Sequence, residues 1–526
     1  MEHEGALTRI TDAMVRLFSP RAQARRMHFR RMESSEEYRN GVFALMGARG
    51  YRAAADGKTK TTWLGGDGSA DAEILGNLPA LRAKSRELNR DDSVGSGITE
   101  TFVNNVVGTG LRPQARTGDM DKDQRIESVW TERAASLSLS DGLTYPETQR
   151  MVFRKWFEDG DAIRKNVKRR PMDPIWFETI EAERLATPTK RSMPLVKAGE
   201  NEIRDGVERD AAGVPVAYWI MKHHPGEIFT PDNLEREKFV RVLASEVRHL
   251  KTTERPGQTR GVPAFHAILQ DVRDLDLLLL ASLKRVQIAA CLAVILESPE
   301  DTQDVFDVTA QKYGLQLDQK LEPGMMFKTY PGEQAKTLIP NFPTPELAPF
   351  IIVLARRIGA ALGVCWQMVL KDFSDSTYSS ARTDLLESRI TFLVRRSVLV
   401  EKILTPEWVA VMQDARLRGD TRLRGVTDDD IRKVQWIAPG WKWVDPQKEA
   451  LATKVSLQLG ITTQRDVCAA NGEDWEEVMR QRLVEEKRED EIRQELGLRP
   501  RVQPQPVKDK DLIEPDDPKP QKVAKK

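Results

Sequence analysis

Residues Gly363 to Arg382 read GVCWQMVLKDFSDSTYSSAR, an apolar segment followed by a run of short polar side chains. The Asp, Ser and Thr side chains at positions 372 to 377 hydrogen-bond to nearby backbone and favour turns over helix interiors. Ser379 or Ser380 is then suited to be the N-cap of a following helix. The stretch therefore predicts an apolar segment, a polar loop and a second helix.

The second helix is predicted to be long, with the loop projecting from its start. Apolar side chains after the loop recur at spacings of three, four or seven residues, which is the stripe of an amphipathic helix. Because proline does not continue a helix, we expect this helix to end at Pro406. The stripe consists of Leu386, Ile390, Leu393, Val400 and Leu404.

This stretch also resembles a signature of the lambda-type portal proteins of tailed bacteriophages, in which Tyr-Ser-Ser-x-Arg opens a long helix after a polar loop, as at Tyr378 to Arg382. Segments similar to that family follow in its order from about residue 80 to residue 475. Two positions depart from the pattern, since Cys365-Trp366 replaces a Pro before an aromatic residue and Thr377 replaces a common Asn. The similar segments are 81–90, 106–111, 206–210, 213–218, 224–226, 249–250, 254–263, 321–324, 330–333, 441–446 and 449–450.

The resemblance implies an α+β, mainly helical portal fold, with regions called wing, stem, clip and crown, assembled as a cyclic ring of usually twelve subunits. A division of the chain into nine regions follows from it. These are a basic flexible N-terminal arm (1–45), a first wing segment (46–145), a first stem helix (146–160), a clip-like β-rich module (161–262), a long stem helix (263–297), a second wing segment (298–365), the tunnel loop with the following long helix (366–405), a C-terminal helical wing and crown region (406–498) and a disordered tail (499–526).

The resemblance also implies which residues line the DNA channel of such a ring. Lys284 and Arg285 are candidates on the long stem helix. Two other interpretations stay open, in which the loop side chains satisfy a turn and the stem cations snorkel or pair between subunits. The tunnel loop would consist of Lys371, Asp372, Phe373, Ser374, Asp375, Ser376, Thr377 and Tyr378, and the helix-start motif of Ser379, Ser380 and Arg382.

The function implied by the resemblance is that of a conduit at the unique vertex of the capsid, for genome packaging, head-tail joining and DNA ejection. The implied partners are further copies of the chain, double-stranded DNA bound weakly and without sequence preference, the terminase large subunit as a separate packaging ATPase, capsid and scaffold proteins, and head-completion or connector proteins. The expected location is the portal vertex of the virion, after assembly in the cytoplasm of the bacterial host.

The charge balance is consistent with a conduit. A tight DNA binder typically carries a basic domain, because neutralising phosphates supplies most of the sequence-independent affinity. This chain has 81 basic and 80 acidic residues, a formal net charge of +1. Near-neutrality disfavours a repressor or a reader of packaging sites, whereas weak contacts allow DNA to slide.

Two helices and a β-rich region are predicted before the loop. Pro146 suits the first turn of a helix that ends at Gly160. Short β-like segments separated by turn residues follow over about residues 162 to 250. From Pro263 to about Leu296, apolar residues recur at spacings of three and four, which predicts a rod ~50 Å long at ~1.5 Å per residue.

The chain shows no signature of a catalyst, a cofactor site or a membrane protein. The motifs Gly-x-Ser-x-Gly, His-Glu-x-x-His and Gly-x-x-x-x-Gly-Lys-Ser/Thr are absent, and the three cysteines are far apart. The cluster Thr427 to Asp430 is interpreted as an N-cap with first-turn acids and not as metal ligands. No window approaches the ~20 apolar residues of a membrane span. We expect no enzymatic activity, cofactor, metal or membrane partner.

Two alternatives from other classes stay open. Another capsid or scaffold protein would form shells or filaments instead of small rings with a central hole. A cryptic metal-dependent nuclease or protease, built from scattered acids, histidines and serines, would cleave DNA or process itself after purification.

Overall fold

The computed structural model describes residues 68–138, 142–188, 201–227, 238–290, 293–297, 334–338, 347–374, 376–441 and 446–497. Several sequence predictions lie outside these residues. They are the basic arm (1–45), the segments 321–324 and 330–333, residues 442–445 of the segment 441–446, Asp375 of the loop, the side chain of Tyr378, and the tail (499–526).

Helices make up most of the described chain, and the predicted α+β, mainly helical composition is confirmed. They are α1 (Ala70–Ile74), α2 (Leu78–Asp91), α3 (Ser93–Val106), α4 (Met120–Ala134), α5 (Tyr145–Asp159), α6 (Leu269–Ala290), α7 (Leu347–Leu362), α8 (Trp366–Leu370), α9 (Tyr378–Leu399), α10 (Thr405–Leu417), α11 (Asp428–Arg432), α12 (Pro446–Gln458), α13 (Gln464–Asn471) and α14 (Trp475–Glu495).

The strands form four small antiparallel sheets. Strand β1 pairs with β11, β9 pairs with β10, and the remaining strands form sheets of order β3-β2-β8 and β4-β5-β6-β7. Two of these sheets confirm a β-rich region between α5 and α6. The strands are β1 (Arg112–Ala115), β2 (Asp161–Val167), β3 (Trp176–Ile180), β4 (Glu202–Arg204), β5 (Val207–Arg209), β6 (Pro215–Met221), β7 (Phe239–Leu243), β8 (Val247–Lys251), β9 (Ala293–Glu297), β10 (Gln334–Leu338) and β11 (Val434–Ile437).

One apolar core joins segments that are distant in sequence. Its centre is aromatic: the Phe102 ring of α3 lies 4.7 Å from that of Phe157 in α5 and 5.2 Å from that of Phe392 in α9. Phe265, which precedes α6, lies 5.1 Å from Phe157. All four rings are buried. The helix that follows the polar loop is therefore fixed to the N-terminal helices through its inner face.

Helix α5 begins and ends where the sequence predicts. Glu147 accepts a hydrogen bond from the backbone N–H of Thr144 at 2.8 Å, and Pro146 occupies the first turn. Gly160 ends the helix with a positive φ of 81°. A Cβ at this position would lie 2.4 Å from the backbone of Val262, so the turn requires glycine for conformation and for space.

The helix after the loop differs from the prediction at both ends. Its N-cap is Thr377, whose side chain accepts from the backbone N–H of Ser380, so the predicted caps Ser379 and Ser380 lie inside the helix. The helix also continues past Pro406, because a π-helical segment, Val400–Leu404, joins α9 to α10. In this wider turn Thr405 donates its N–H to the carbonyl of Val400. Pro406 is tolerated because it lies in the first turn of α10, which begins immediately after the π segment.

The predicted rod from Pro263 to Leu296 is shorter than expected. A 3-10 turn precedes it, the helix itself spans Leu269–Ala290, and Ala293–Glu297 is a strand paired with β10. The apolar run at positions 293 to 296 fits a short strand as well as a helix, so periodicity alone did not distinguish the two.

The structure also bears on the acidic cluster at Thr427 to Asp430 and on the expectation of no membrane span. Thr427 caps α11 by accepting from the N–H of Asp430, which confirms the N-cap interpretation of this acidic cluster. Within the described residues, no helix is both long and apolar enough to cross a membrane.

Candidate functional site: the polar loop and the helices around it

The polar loop begins at a left-handed residue. Lys371 ends α8 with φ 55° and ψ 34°, and its N–H donates to the carbonyl of Gln367. Among the described non-glycine residues, only Asp205 shares a positive φ. This conformation costs roughly 1 to 2 kcal/mol for an L-residue, so the sharp exit of the chain from α8 is sustained by its surroundings.

The tip of the loop is an exposed turn stabilised by its own side chains. Ser374 donates to Oδ1 of Asp372 from its backbone N–H at 3.0 Å and from its hydroxyl at 2.7 Å. These hydrogen bonds lower the pKa of Asp372. Lys371 and Phe373 are exposed beside them. Asp372 and Ser374 thus behave as in the interpretation in which the loop side chains satisfy a turn. The Lys371 ammonium faces solvent.

The base of the loop is docked on one face of α9 by polar contacts. Thr391 donates its hydroxyl to the carbonyl of Gly363 at 2.6 Å, and Ser388 accepts from the N–H of Cys365 at 3.0 Å. Asp384 accepts from the side-chain amide of Gln367 at 2.8 Å. Residues three and four positions apart lie on one helix face, so α9 presents these groups as a polar ladder.

The predicted apolar stripe of α9 faces outward. Leu386, Ile390 and Leu393 are 49%, 57% and 47% exposed, although Leu404 at the end of the stripe is buried. The inner face instead carries Ser388 and Phe392. Sequence periodicity identified an apolar face correctly but did not show that a second, aromatic face packs on the core.

Two arginines of α9 that the sequence did not single out anchor its inner side. The Arg395 guanidinium lies over the rings of Phe102 and Phe157 at 5.2 and 5.3 Å. Arg396 donates to the carbonyls of Val106 and Asn105 at 2.8 and 2.7 Å. Burial lowers the pKa of each arginine to about 10. Cation–π contacts and carbonyl acceptors compensate for this burial.

Helices α6 and α7 form a pair beside the loop helices. Arg357 of α7 pairs with Asp271 of α6 at 3.0 Å. Lys284 and Arg285 lie in the exposed C-terminal half of α6. The pair also exposes large apolar side chains, which are Leu277, Leu279, Leu280, Leu283, Val286, Phe350 and Val353.

Helix α5, by contrast, is an internal element. Val152, Phe153, Trp156 and Phe157 are all buried in the main core. It contacts α2, α3 and β2. Its surface is therefore used for packing within the chain.

Three of the segments that resemble the portal family meet at one buried carboxylate. Asp161 of β2 accepts from Arg82 at 2.6 Å, from Arg260 at 2.7 Å and from the N–H of Gly261 at 2.7 Å, and its other contact is Nε2 of His249 at 3.0 Å. Although burial opposes ionisation, Arg260 and its neighbours hold the pKa of Asp161 well below its usual range, while burial lowers the pKa of His249. The cluster joins the β-rich region to α2 and is enclosed by the protein.

A second buried ion pair joins the β-rich region to the first turn of α10. Glu407 of α10 accepts from Nε of Arg164 at 2.8 Å and from the hydroxyl of Tyr145 at 3.1 Å. Both charged side chains are buried. Burial, with Glu407 beside it, raises the pKa of Tyr145 well above its usual value.

The chemistry of these clusters is structural. Across the part of the chain that the structure describes, no group of three or more His, Cys, Asp or Glu residues could hold a metal ion. A packed interior, an exposed polar loop and exposed apolar helix faces are the features of an assembly protein.

The chain belongs to the lambda family of phage portal proteins, since the family described as "Phage portal protein, lambda family" matches residues 56–396. The resemblance seen in the sequence is thereby confirmed. The match includes the loop, the start of α9 and the residues around Asp161.

Two phage portal proteins agree with this membership. The chain is 24% identical over 466 residues to a "Probable portal protein" of Halomonas phage phiHAP-1, covering 82% of this chain and 85% of that protein. It is 22% identical over 512 residues to "Portal protein B" of Escherichia phage lambda, covering 88% and 93%. Among solved structures, a chain of the "Virion of native gene transfer agent (GTA) particle" is 13% identical at a TM-score of 0.42, covering 75% of this chain and 93% of that chain.

Proposed function

We propose that copies of this chain close into a ring, usually of twelve subunits, through which double-stranded DNA passes at one vertex of a phage capsid. The observation that carries the proposal is the exposure of large apolar side chains on α6, α7 and α9, around a well-packed interior. Large apolar side chains exposed in groups on the same helices point to an interaction site. Membership of the portal family makes further copies of the chain the natural occupants, and heterologous contacts that close on themselves generate a ring.

The paired helices α6 and α7 are better suited to be the stem than the helix that the resemblance suggested. From the sequence, residues 146–160 were expected to form the first stem helix and residues 161–262 the clip. Helix α5 is buried within the subunit. The α6–α7 pair exposes apolar and charged residues along its length, and the β9–β10 pair lies between the two helices in sequence. We therefore propose α6 and α7 as the stem, with the β9–β10 pair within the clip.

Apart from α5, which moves from the stem to the wing, the helices outside the α6–α7 pair keep the roles that the resemblance implied. The core that joins α2, α3, α5 and α10 would be the wing, and α12 to α14 the crown region. The loop at Lys371 to Thr377 would reach into the tunnel. Lys284 and Arg285 would be secondary channel-lining candidates, because their half of α6 is exposed.

The proposed mechanism follows from symmetry. One exposed Lys371 per subunit becomes a ring of positive charge around the DNA. Each ammonium contacts a phosphate weakly and without reading sequence, because backbone contacts carry no sequence information directly. DNA held in this way is centred without being gripped, which suits a conduit for packaging, head-tail joining and ejection.

The role is structural, and the work of translocation falls to partners. The sequence contains no phosphate-cradling Gly-Lys-Ser/Thr motif. We propose the terminase large subunit as the docked ATPase, with capsid or scaffold proteins and head-completion proteins on other surfaces. Assembly in the host cytoplasm and residence at the capsid vertex follow from this role.

Negative-stain electron microscopy with mass photometry of the full-length protein tests the ring. The expected result is rings with a central hole and a mass near twelve times 59.6 kDa. Shells or filaments would favour the alternative of another capsid protein. If neither the protein alone nor the protein with its scaffold forms rings, the proposal is wrong.

A further inference from the structure

Gln367 lies between the two ends of the polar loop. The residue is 5% exposed, and its amide Nε2 donates to Oδ2 of Asp384 at 2.8 Å and to the hydroxyl of Ser376 at 3.4 Å. Its backbone carbonyl accepts from the N–H of Asp372 at 3.1 Å. One residue thus contacts the loop where it leaves α8, the loop where it returns, and the helix that follows. We call Gln367, Ser376 and Asp384 the clasp.

The clasp continues the polar ladder on α9. Asp384 and Ser388 are one helical turn apart, and Ser388 donates its hydroxyl to the carbonyl of Asp384 at 2.8 Å while accepting from Cys365. Thr391 binds the carbonyl of Gly363 one turn further along. The amide nitrogen of Gln367, the N–H of Cys365 and the carbonyl of Gly363 therefore each have a partner on α9, whereas Oε1 of Gln367 is buried without a hydrogen bond.

The apolar surroundings make this pairing specific. Leu362, Val364 and Val369 are buried around the ladder. An apolar contact alone would tolerate a shift of one helical turn, but such a shift would leave buried polar groups without partners. An unpaired buried polar group costs roughly 1 to 3 kcal/mol. The ladder therefore favours one register of α8 against α9.

We propose that Gln367 is a positioning residue that fixes how far the loop extends, and hence where Lys371 meets DNA. This inference rests on the proposed function for its last step, the contact with DNA. Its structural step, that the clasp restrains the loop, holds for a single subunit and is tested separately. Gln367 acts through the loop and does not itself contact DNA.

Exchanging the polarity of the clasp provides the test. In Gln367→Glu, two carboxylates face each other and the hydrogen bond to Asp384 is lost. In the double variant with Asp384→Asn, the introduced glutamate becomes the acceptor and the introduced asparagine the donor, so the pair is restored with its roles reversed. Gln458→Glu makes the same change at an exposed position of α12 and serves as the matched control.

The first readout is amide hydrogen exchange over residues 371–377. We expect exchange in Gln367→Glu to be roughly tenfold faster than in the wild type, as for the loss of one charge-assisted hydrogen bond. The double variant and the control should exchange at the wild-type rate. Unchanged exchange in Gln367→Glu, or faster exchange that the double variant does not restore, would refute the clasp whether or not rings form.

The second readout is the number of DNA-filled heads made with variants whose rings look normal. We expect several-fold fewer filled heads with Gln367→Glu and recovery with the double variant. If loop exchange changes as expected but filled heads do not, the clasp restrains the loop without positioning it for DNA, and the proposed role of Gln367 is wrong. If no variant or wild-type protein forms rings, the proposed function fails and the exchange result stands on its own.

Discussion

At the scale of single residues, Lys371 combines an exposed charge with a left-handed backbone. Lys371→Ala removes the ammonium and leaves the backbone strain the same, because alanine has the same preference against positive φ. We expect rings to form normally and filled heads to fall several-fold, since the phosphate contacts of the ring would be lost. Counting filled heads by electron microscopy measures this, with Lys371→Arg as the charge-retaining control. Normal numbers of full heads from the alanine variant would contradict a channel role for Lys371.

Arg164 and Glu407 form an ion pair from which water is excluded. Removing one partner leaves a buried charge uncompensated, which typically costs about 3 to 5 kcal/mol. We expect Glu407→Leu to lower the free energy of unfolding by that amount in urea denaturation. The double variant Arg164→Met with Glu407→Leu should recover most of the loss, because both charges are then absent. A single variant as stable as the wild type would show that the pair carries no net energy.

Glu127 makes stability depend on pH in a direction opposite to that of most carboxylates. Burial raises its pKa to about 7, with Asp474 and Asp123 adding to the effect, although the N–H of Ala115 donates to it. Since the unfolded carboxyl titrates near 4.5, the folded state binds more protons between pH 4.5 and 7. This contribution stabilises at low pH and is lost as pH rises through 7.

The variant Glu127→Gln isolates that contribution, because Gln can still accept from Ala115 and does not titrate. We expect the stability of the variant relative to the wild type to increase as pH rises from about 4.5 to 7, the window between the unfolded and the folded pKa of Glu127, and to level off above it. Urea midpoints of both proteins across this range measure the difference, in which other titrating groups such as His249 cancel. A difference that stays constant with pH would mean that Glu127 has an ordinary pKa in the folded protein.

At the scale of elements, the outer and inner faces of α9 provide a matched pair of substitutions. Ile390 is exposed on the outer stripe, whereas Phe392, two positions on, is buried against Phe102. We expect Ile390→Asp to leave the unfolding free energy of the subunit within about 0.5 kcal/mol and to abolish ring formation. Phe392→Ala should instead cost about 3 to 5 kcal/mol, because it leaves a cavity in the core.

Mass photometry and urea denaturation of the two variants separate these effects. Rings formed normally by Ile390→Asp would show that the outer stripe of α9 is not a contact between subunits. A large loss of subunit stability in the same variant would show that the stripe packs within the subunit.

The same helix shows which elements the sequence could predict. The loop, the helix after it and the apolar period were predictable, because turn residues and periodicity are local signals. The continuation past Pro406 was not, since it depends on the π segment at Val400–Leu404. The polar ladder could not be predicted either. Ser388 and Thr391 find their hydrogen-bond partners only when the segment from Gly363 to Gln367 packs on α9.

At the scale of the whole molecule, resemblance gave the family while the assignment of its regions depended on long-range contacts. The β-rich region from β2 to β8 looked like an insertion between two stem helices. In the structure it is attached to the helical body through Asp161, which Arg82 and Arg260 reach from opposite sides in sequence. Such a junction depends on residues 79 and 99 positions from Asp161, and no local pattern reveals it.

The charge of the whole molecule predicts how the assembled ring should treat DNA. With a net charge of +1 per chain, a ring of these chains would lack a large excess of positive charge. Purified rings should therefore bind duplex DNA no more tightly than the ~10⁻⁴ to 10⁻⁶ M typical of non-specific contacts at physiological salt, with affinity falling as salt rises. Fluorescence anisotropy of two unrelated duplexes at about 50 and 200 mM salt measures both properties. Nanomolar binding or binding that depends on sequence would contradict this prediction. Either result would indicate contacts that hold DNA in place, whereas DNA must slide through a conduit.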